Sequence, residues 1–218
     1  MSSKGRKKKD VADGDSEYYP TPGWCVHRFI ERATFLPKGK WLEPCAGNGD
    51  IIHAVNEKRQ FLYWHANEIR PACEPGLRKV ANQVVISNFL GWDFKTAGRF
   101  DVIVSNPPFS LAMPIIQKSL ELADYVAMLL RLNYMGSAER TPFFKEMMPD
   151  LYVIPERPSF DGEGTDSIEY AWFVWMEPEL RKRSRGSIEV LDNTPIKVRK
   201  AFKPLDFRLP EEQQMSLL

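Results

Sequence analysis

The run Phe100-Asp101-Val102-Ile103-Val104-Ser105 carries three consecutive β-branched residues and then stops at Asn106-Pro107-Pro108. A strand with one wet face alternates apolar and polar residues. A continuous apolar run is instead buried on both faces, as in the interior of a parallel sheet. Pro107 has no N–H and drives Asn106 out of the helical region, so the strand ends abruptly in a rigid polar turn. A buried parallel strand needs helices over both faces, and the rest of the chain supplies the signals for them.

Helical spacing over residues 24–35 (Val26, Phe29, Ile30, Ala33) predicts a first helix. Strand and helix signals then alternate: strand 40–44, helix 50–58, strand 61–69, helix 71–81, strand 84–88, strand 100–105, helix 112–123 and strand 125–132. That order predicts parallel strands joined by crossover helices. After Pro149 the pattern changes to two strands, 151–155 and 168–176, separated by a Gly- and Asp-rich stretch, which predicts an antiparallel hairpin with a long loop. Beyond residue 180 little periodicity survives except at 188–191. The expected organisation is a disordered basic tail over 1–17, one domain over 18–178 and a basic extension over 179–218.

Charge sharpens this division. The net of +1 hides a body with net −8 over 10–180, flanked by +5 over 1–9 and +6 over 181–208. Basic segments around an acidic body suit a polyanion held from the edges, and equally suit solubilising tails. No apolar run approaches the roughly 20 residues of a membrane span, and the polar N-terminus does not read as a secretory signal. Three cysteines (Cys25, Cys45, Cys73) without a C-x-x-C pair argue against a disulfide framework and against a zinc site. The expected setting is reducing and cytoplasmic, with no metal and no membrane.

Two segments carry chemistry. In Glu43-Pro44-Cys45-Ala46-Gly47-Asn48-Gly49-Asp50, between a strand and a helix, the glycines let a ligand approach the backbone. A dinucleotide loop would place a small residue where Ile52 stands, and Glu43 and Asp50 would repel a pyrophosphate. They suit a cation bearing sugar hydroxyls, and Glu68, ending the second strand, is placed to accept from a ribose. A cationic nucleoside is thus favoured over NAD.

Asn106-Pro107-Pro108-Phe109 follows a buried strand, at the sheet edge where open parallel sheets bind ligands. The exocyclic amine of a base is a weak nucleophile because its lone pair is delocalised into the ring. The Asn106 amide oxygen and the Pro107 carbonyl can accept its two hydrogens and hold the nitrogen for attack. The prolines set the carbonyl direction in advance, and Phe109 offers a face for stacking.

Tyr19-Pro20-Thr21-Pro22, the segment 43–50, Glu68 and Asn106–Phe109, in this order, resemble the S-adenosylmethionine-dependent N6-adenine DNA methyltransferases, most of all the small bacteriophage-type members. The resemblance spans about residues 18–177 and implies an α/β fold: a seven-stranded Rossmann-like methyltransferase sheet, mostly parallel with a C-terminal antiparallel hairpin. It implies S-adenosylmethionine as cofactor. Tyr19, Thr21 and Pro22 would border its methionine end, Glu43, Cys45, Ala46, Gly47 and Asp50 its loop, and Glu68 its ribose. Asn88 and Phe89 would flank its adenine, although many relatives have Asp at the first of these positions. Asn106, Pro107, Pro108 and Phe109 would act on an adenine flipped out of duplex DNA. Phe160 is the candidate second aromatic over the base, or else a hydrophobic anchor under its loop. Histidines 27, 53 and 65 have no part in this chemistry.

Arg181 and Arg183, with Lys197, Arg199, Lys200 and Lys203 beyond them, are candidates for phosphate contact. Base-specific reading would fall to loops 133–148 or 157–167. Gln214, Met215, Ser216, Leu217 and Leu218 are similar to the short peptide by which bacterial replication and repair proteins bind the sliding clamp. Three alternatives stay open: an RNA adenine or a protein glutamine methyltransferase, which typically carry Tyr where Phe109 stands, and an inactive nucleic-acid-binding relative.

Overall fold

The structure, a computed structural model, describes residues 19–94, 96–160, 166–177, 180 and 186–203. The expected tail over 1–17, Arg181, Arg183 and the peptide from Gln214 to Leu218 lie outside the described residues.

The strands are β1 (Gly39–Glu43), β2 (Leu62–Glu68), β3 (Gln83–Ile86), β4 (Phe100–Ser105), β5 (Ala123–Arg131), β6 (Asp150–Ile154), β7 (Tyr170–Met176) and β8 (Ile188–Val190). They form one sheet in the order β3-β2-β1-β4-β5-β7-β6-β8. Strands β1 to β5 are mutually parallel. Strand β7 inserts antiparallel between β5 and β6, pairing Met128 with Phe173 and Tyr152 with Trp172. The hairpin read from the sequence is this β6–β7 pair.

Among the described residues the sheet has eight strands rather than seven. Strand β8, from the segment read as an extension, pairs parallel with β6 (Leu151 with Ile188, Val153 with Val190). Its chain is held at the start by Asp150, whose Oδ1 accepts from Ser187 N–H and Oγ–H, both at 2.9 Å. Ile188 and Val190 are 71% and 65% exposed, so this edge strand buries too little to imprint a burial pattern.

Alternation along β4 builds two cores. Val102 and Val104 face a layer with α1 (Gly23–Arg32) and α2 (Asp50–Lys58); Ile103 faces α4 (Ala112–Leu122) and α5 (Thr141–Glu146). Helix α1 buries Trp24, Cys25, Val26, Phe29 and Ile30. Phe29 stacks on Trp172 at 4.7 Å between centroids, which seats α1 on β7.

The helix expected over 71–81 is instead a 3-10 turn, Pro71–Cys73, and a single α-helical turn, α3 (Glu74–Leu77). Pro71 and Pro75 lack donors and Gly76 is a poor helix former, so the ladder cannot propagate. A short helix, α6 (Ile196–Lys200), follows β8. Among the described residues no helix is long and apolar enough to cross a membrane.

Candidate active site

Strand order reverses between β1 and β4: β2 and β3 lie to one side, β5 and beyond to the other. The turns leaving these two strands diverge and open a crevice at their carboxyl ends. A cavity of about 640 Å³ fills it, within the range of small-molecule sites. Both sequence segments singled out for chemistry meet there, because β1 and β4 are neighbours (Trp41 with Val102, Leu42 with Ile103).

The loop after β1 is held by its backbone. Gly47 N–H donates to Glu68 Oε2 at 2.7 Å and Ala46 N–H to Asn67 O at 2.9 Å, tying the loop to the end of β2. Gly49, at φ 86°, is the N-cap of α2. A Cβ there would lie 2.8 Å from Val80 Cγ2 and 3.3 Å from Leu77 Cδ2, so both backbone angle and space require glycine.

Three carboxylates converge on the cavity. Glu43, Glu68 and Asp50 are 2%, 3% and 8% exposed, and all three line it. Arg70 meets part of this charge through its N–H and Nε–H, at 3.0 and 2.8 Å from Glu68 Oε1. Glu43 Oε2 is buried and, among the described residues, has no hydrogen-bond partner. Burial, then the charges of Asp50 and Glu68, hold the Glu43 carboxyl well above the usual carboxylate range. Burial, then the charges of Glu68 and Glu43, push the Cys45 thiol up and favour its protonated form.

Asn88, Phe89 and Leu90 form another wall. Asn88 Oδ1 caps the 3-10 turn Phe89–Gly91 by accepting from Leu90 N–H at 3.0 Å. Lys118 of α4 holds the same turn from below, donating to the carbonyls of Phe89, Leu90 and Trp92 at 2.8, 3.0 and 2.8 Å.

Asn106 joins the cavity to the segment that precedes α1. Its Nδ2 donates to Tyr19 O at 3.2 Å and to Thr21 Oγ1 at 3.1 Å. A carbonyl oxygen can only accept, so this contact fixes which end of the amide is nitrogen. Asn106 Oδ1 is buried and, among the described residues, has no hydrogen-bond partner.

Tyr19, Thr21, Glu43, Cys45, Ala46, Gly47, Asp50, Glu68, Asn88, Phe89, Asn106 and Pro108 all line this one cavity. Pro22, Pro107, Phe109 and Phe160 do not. Pro22 is the buried N-cap of α1. Pro107 is buried and Phe109 half-buried. Phe109 packs in an aromatic cluster with Tyr19 (5.5 Å) and Tyr170 (6.1 Å), and Phe160, 7% exposed, contacts the same two rings. His27 and His53 face Glu57, and His65 packs against Tyr63 and Phe100; none lines the cavity.

Residues at the site that escaped the sequence reading include Arg70, Lys118 and Arg131. Lys118 has no local mark, being one cation on an amphipathic helix. Arg131 had one: it is the first charge after the apolar run Val126–Leu130, at the carboxyl edge. Its guanidinium carbon lies 4.4 Å from the Phe109 ring centroid.

No family model matches the sequence, and no curated protein matches it. Solved structures do match in fold. One is a candidate class I S-adenosylmethionine-dependent methyltransferase from Listeria monocytogenes, at 13% identity and TM-score 0.59 over 81% of this chain and 66% of that one. Another is the modification subunit of a candidate type I restriction enzyme from Vibrio vulnificus, at 18% identity and TM-score 0.60 over 94% of this chain and 53% of that one. A third is the 23S rRNA methyltransferase ErmE, at 16% identity and TM-score 0.54 over 74% and 70%. The chain thus spans about two thirds and about half the length of the first two. The fold is that of the class I S-adenosylmethionine-dependent methyltransferases.

Proposed function

We propose that this chain is an S-adenosylmethionine-dependent methyltransferase acting on adenine N6 in DNA. The observation that carries the reading is the Asn106 amide. Its two N–H groups are spent on Tyr19 O and Thr21 Oγ1, which leaves a buried, oriented acceptor at Oδ1. An unpaired buried acceptor costs about 1–3 kcal/mol, so it marks a place where a donor is expected. An exocyclic amine is such a donor.

The cavity fits the cofactor. Glu43 Oε2 is a second buried acceptor without a partner, among carboxylates that favour a cation over a phosphate. When bound, S-adenosylmethionine supplies an electrophilic methyl on a sulfonium centre. Glu43 and Asp50 provide the negative field for its positive groups, Glu68 the ribose acceptor, and the Asn88–Phe89 wall the surface for its base. On the acceptor side Asn106 Oδ1 and the Pro107 carbonyl take the amine hydrogens, which localises the nitrogen lone pair for in-line attack. As the N–C bond formed, the sulfonium C–S bond would break to leave a neutral thioether, and the amine would release one proton to solvent. Phe109 stacks on the flipped base, with Phe160 packed behind.

The fold similarity to a restriction-modification subunit favours DNA as acceptor, while that to an rRNA methyltransferase makes RNA the competitor to include. Strand β8 runs parallel to β6, so Lys197, Lys200 and Lys203, all exposed, leave the sheet at the edge that carries Asn106. With Arg181 and Arg183 they form the proposed phosphate-contacting segment. Residues 214–218 are proposed to bind a bacterial sliding clamp; equal capture by purified clamp of the full chain and a chain ending at 213 would remove that idea.

The test is transfer of radiolabelled methyl to unmethylated duplex DNA, RNA and protein, with nucleoside analysis of the product. Labelled N6-methyladenine in DNA, abolished by Asn106→Ala with cofactor binding retained, is the expected result. Label in RNA or protein moves the acceptor. Cofactor binding without transfer to any of the three leaves a binding protein.

A further inference from the structure

The Asn-Pro-Pro-Phe turn separates two electrostatic environments. On the cavity side stand Glu43, Asp50 and Glu68. On the Phe109 side stands Arg131, at the end of β5, half-buried. Its guanidinium covers the Phe109 ring, and its Nε donates a long bond, 3.4 Å, to Tyr170 Oη. Asp166, the nearby acid, is engaged by the Tyr170 hydroxyl at 2.7 Å. Among the described residues no carboxylate forms an ion pair with Arg131, and its terminal Nη groups have no hydrogen-bond partner. A half-buried arginine is ordinarily paired, because removing its charge from water is costly. Here stacking and one phenol hold the side chain in place, while the fork of donors suited to an oxyanion stays uncommitted.

We infer that Arg131 binds a backbone phosphate of the strand that carries the target base. The inference rests on the proposed base-methylating function and narrows the acceptor to a polynucleotide, since a glutamine side chain would bring no anion. Stacking on Phe109 fixes the guanidinium in relation to the ring on which the base packs. One residue pair thereby locates a base and its phosphate together. The acids across the turn repel that phosphate from the cofactor cavity, which sets the direction of strand approach.

The test uses the full-length chain, wild type, Arg131→Gln and Arg131→Lys. Short duplexes contain one target adenine, with either an ordinary phosphate or a neutral methylphosphonate on each side of it. Binding is measured across a salt series, and cofactor affinity by calorimetry. Losing one phosphate contact lowers the slope of log K against log salt by about 0.9. The expected result is that loss in Arg131→Gln, with about tenfold weaker DNA binding and unchanged cofactor affinity. Arg131→Lys should restore the slope but not all of the affinity. One flanking methylphosphonate should reproduce the loss for wild type and add nothing for Arg131→Gln. That comparison holds even if a variant folds poorly, because the wild-type arm stands alone.

A wild-type slope in Arg131→Gln, with the defect confined to kcat, would overturn the inference and leave Arg131 a support for Phe109. So would wild-type binding insensitive to both methylphosphonates. If the wild type methylates RNA instead of DNA, the acceptor reading fails while the same salt and methylphosphonate measurements on RNA still decide Arg131. If it methylates only protein, or binds no polynucleotide, both fall.

Discussion

Replacing Lys118 by methionine separates what holds the cavity wall from what holds the fold. The ammonium bonds to three carbonyls of one turn, at 2.8 to 3.0 Å, and lies 5.3 and 4.8 Å from the ring centroids of Phe89 and Phe94. A hydrogen bond from a charged donor nets about 1.5–3 kcal/mol when well isolated from water. Lys118 is only half-buried, and its burial, partly offset by the charges of Glu121 and Asp93, pushes its pKa below the usual lysine value. The desolvation of the ammonium therefore cancels most of what the bonds return to global stability. Methionine keeps the length and the apolar contacts, so unfolding free energy should change by about 1 kcal/mol or less, a shift of roughly 2–4 °C in Tm at this chain length.

The turn itself responds differently. Fixing a residue's backbone costs about 1–2 kcal/mol, and Phe89–Gly91 is a three-residue turn. The Asn88 cap survives the substitution and keeps part of that order. Cofactor binding must then restore about 1–3 kcal/mol of it, which weakens affinity about five- to more than a hundredfold. Calorimetric titration with S-adenosylmethionine beside scanning calorimetry of the free chain reads both quantities. Affinity within twofold of wild type would refute the reasoning, and a Tm loss above about 6 °C would show that Lys118 holds the fold instead.

Gly49→Ala should cost about 2–5 kcal/mol, from left-handed strain and the 2.8 Å approach to Val80 Cγ2; adding Val80→Ala should return only the packing part, read as a coupling in denaturant melts. Glu43→Gln tests the buried acid. Its carboxyl is raised, so the native chain holds a proton that the unfolded chain releases, and wild-type stability falls as pH rises from about 4.5 through the raised value. The neutral variant should lack that fall and be more stable at neutral pH while binding the cofactor more weakly. Parallel Tm–pH curves for the two proteins would contradict this. Asp150→Ala removes both bonds to Ser187 and should destabilise by about 2–4 kcal/mol, with hydrogen exchange accelerating first in β8; uniform exchange along the sheet would argue against β8 as a separately held edge.

Strands whose burial is dictated by local chemistry were legible without a structure. Val102-Ile103-Val104 can only be a doubly buried strand, Pro107 ends it, and two glycines before Asp50 mark a close-approach loop. Because strand–helix alternation forces a parallel sheet, the carboxyl edge as the binding edge followed as well. The helix expected over 71–81 does not form, because Pro71, Pro75 and Gly76 interrupt it.

What the sequence alone determined, then, is the set of side chains able to carry the chemistry and the strand ends that bear them, since apolar runs, prolines and glycines act locally. Tertiary structure decided which of them meet. Glu43, Glu68 and Asn106 share a cavity because strand order reverses between β1 and β4. The Asn106 amide is aimed by Tyr19 and Thr21, 87 and 85 positions away. Lys118 supports Phe89, Arg131 lies on Phe109, and an exposed three-residue strand completes the sheet against β6. Each of these is a pairing between distant segments, stabilised only when the chain closes on itself, and no local pattern records it.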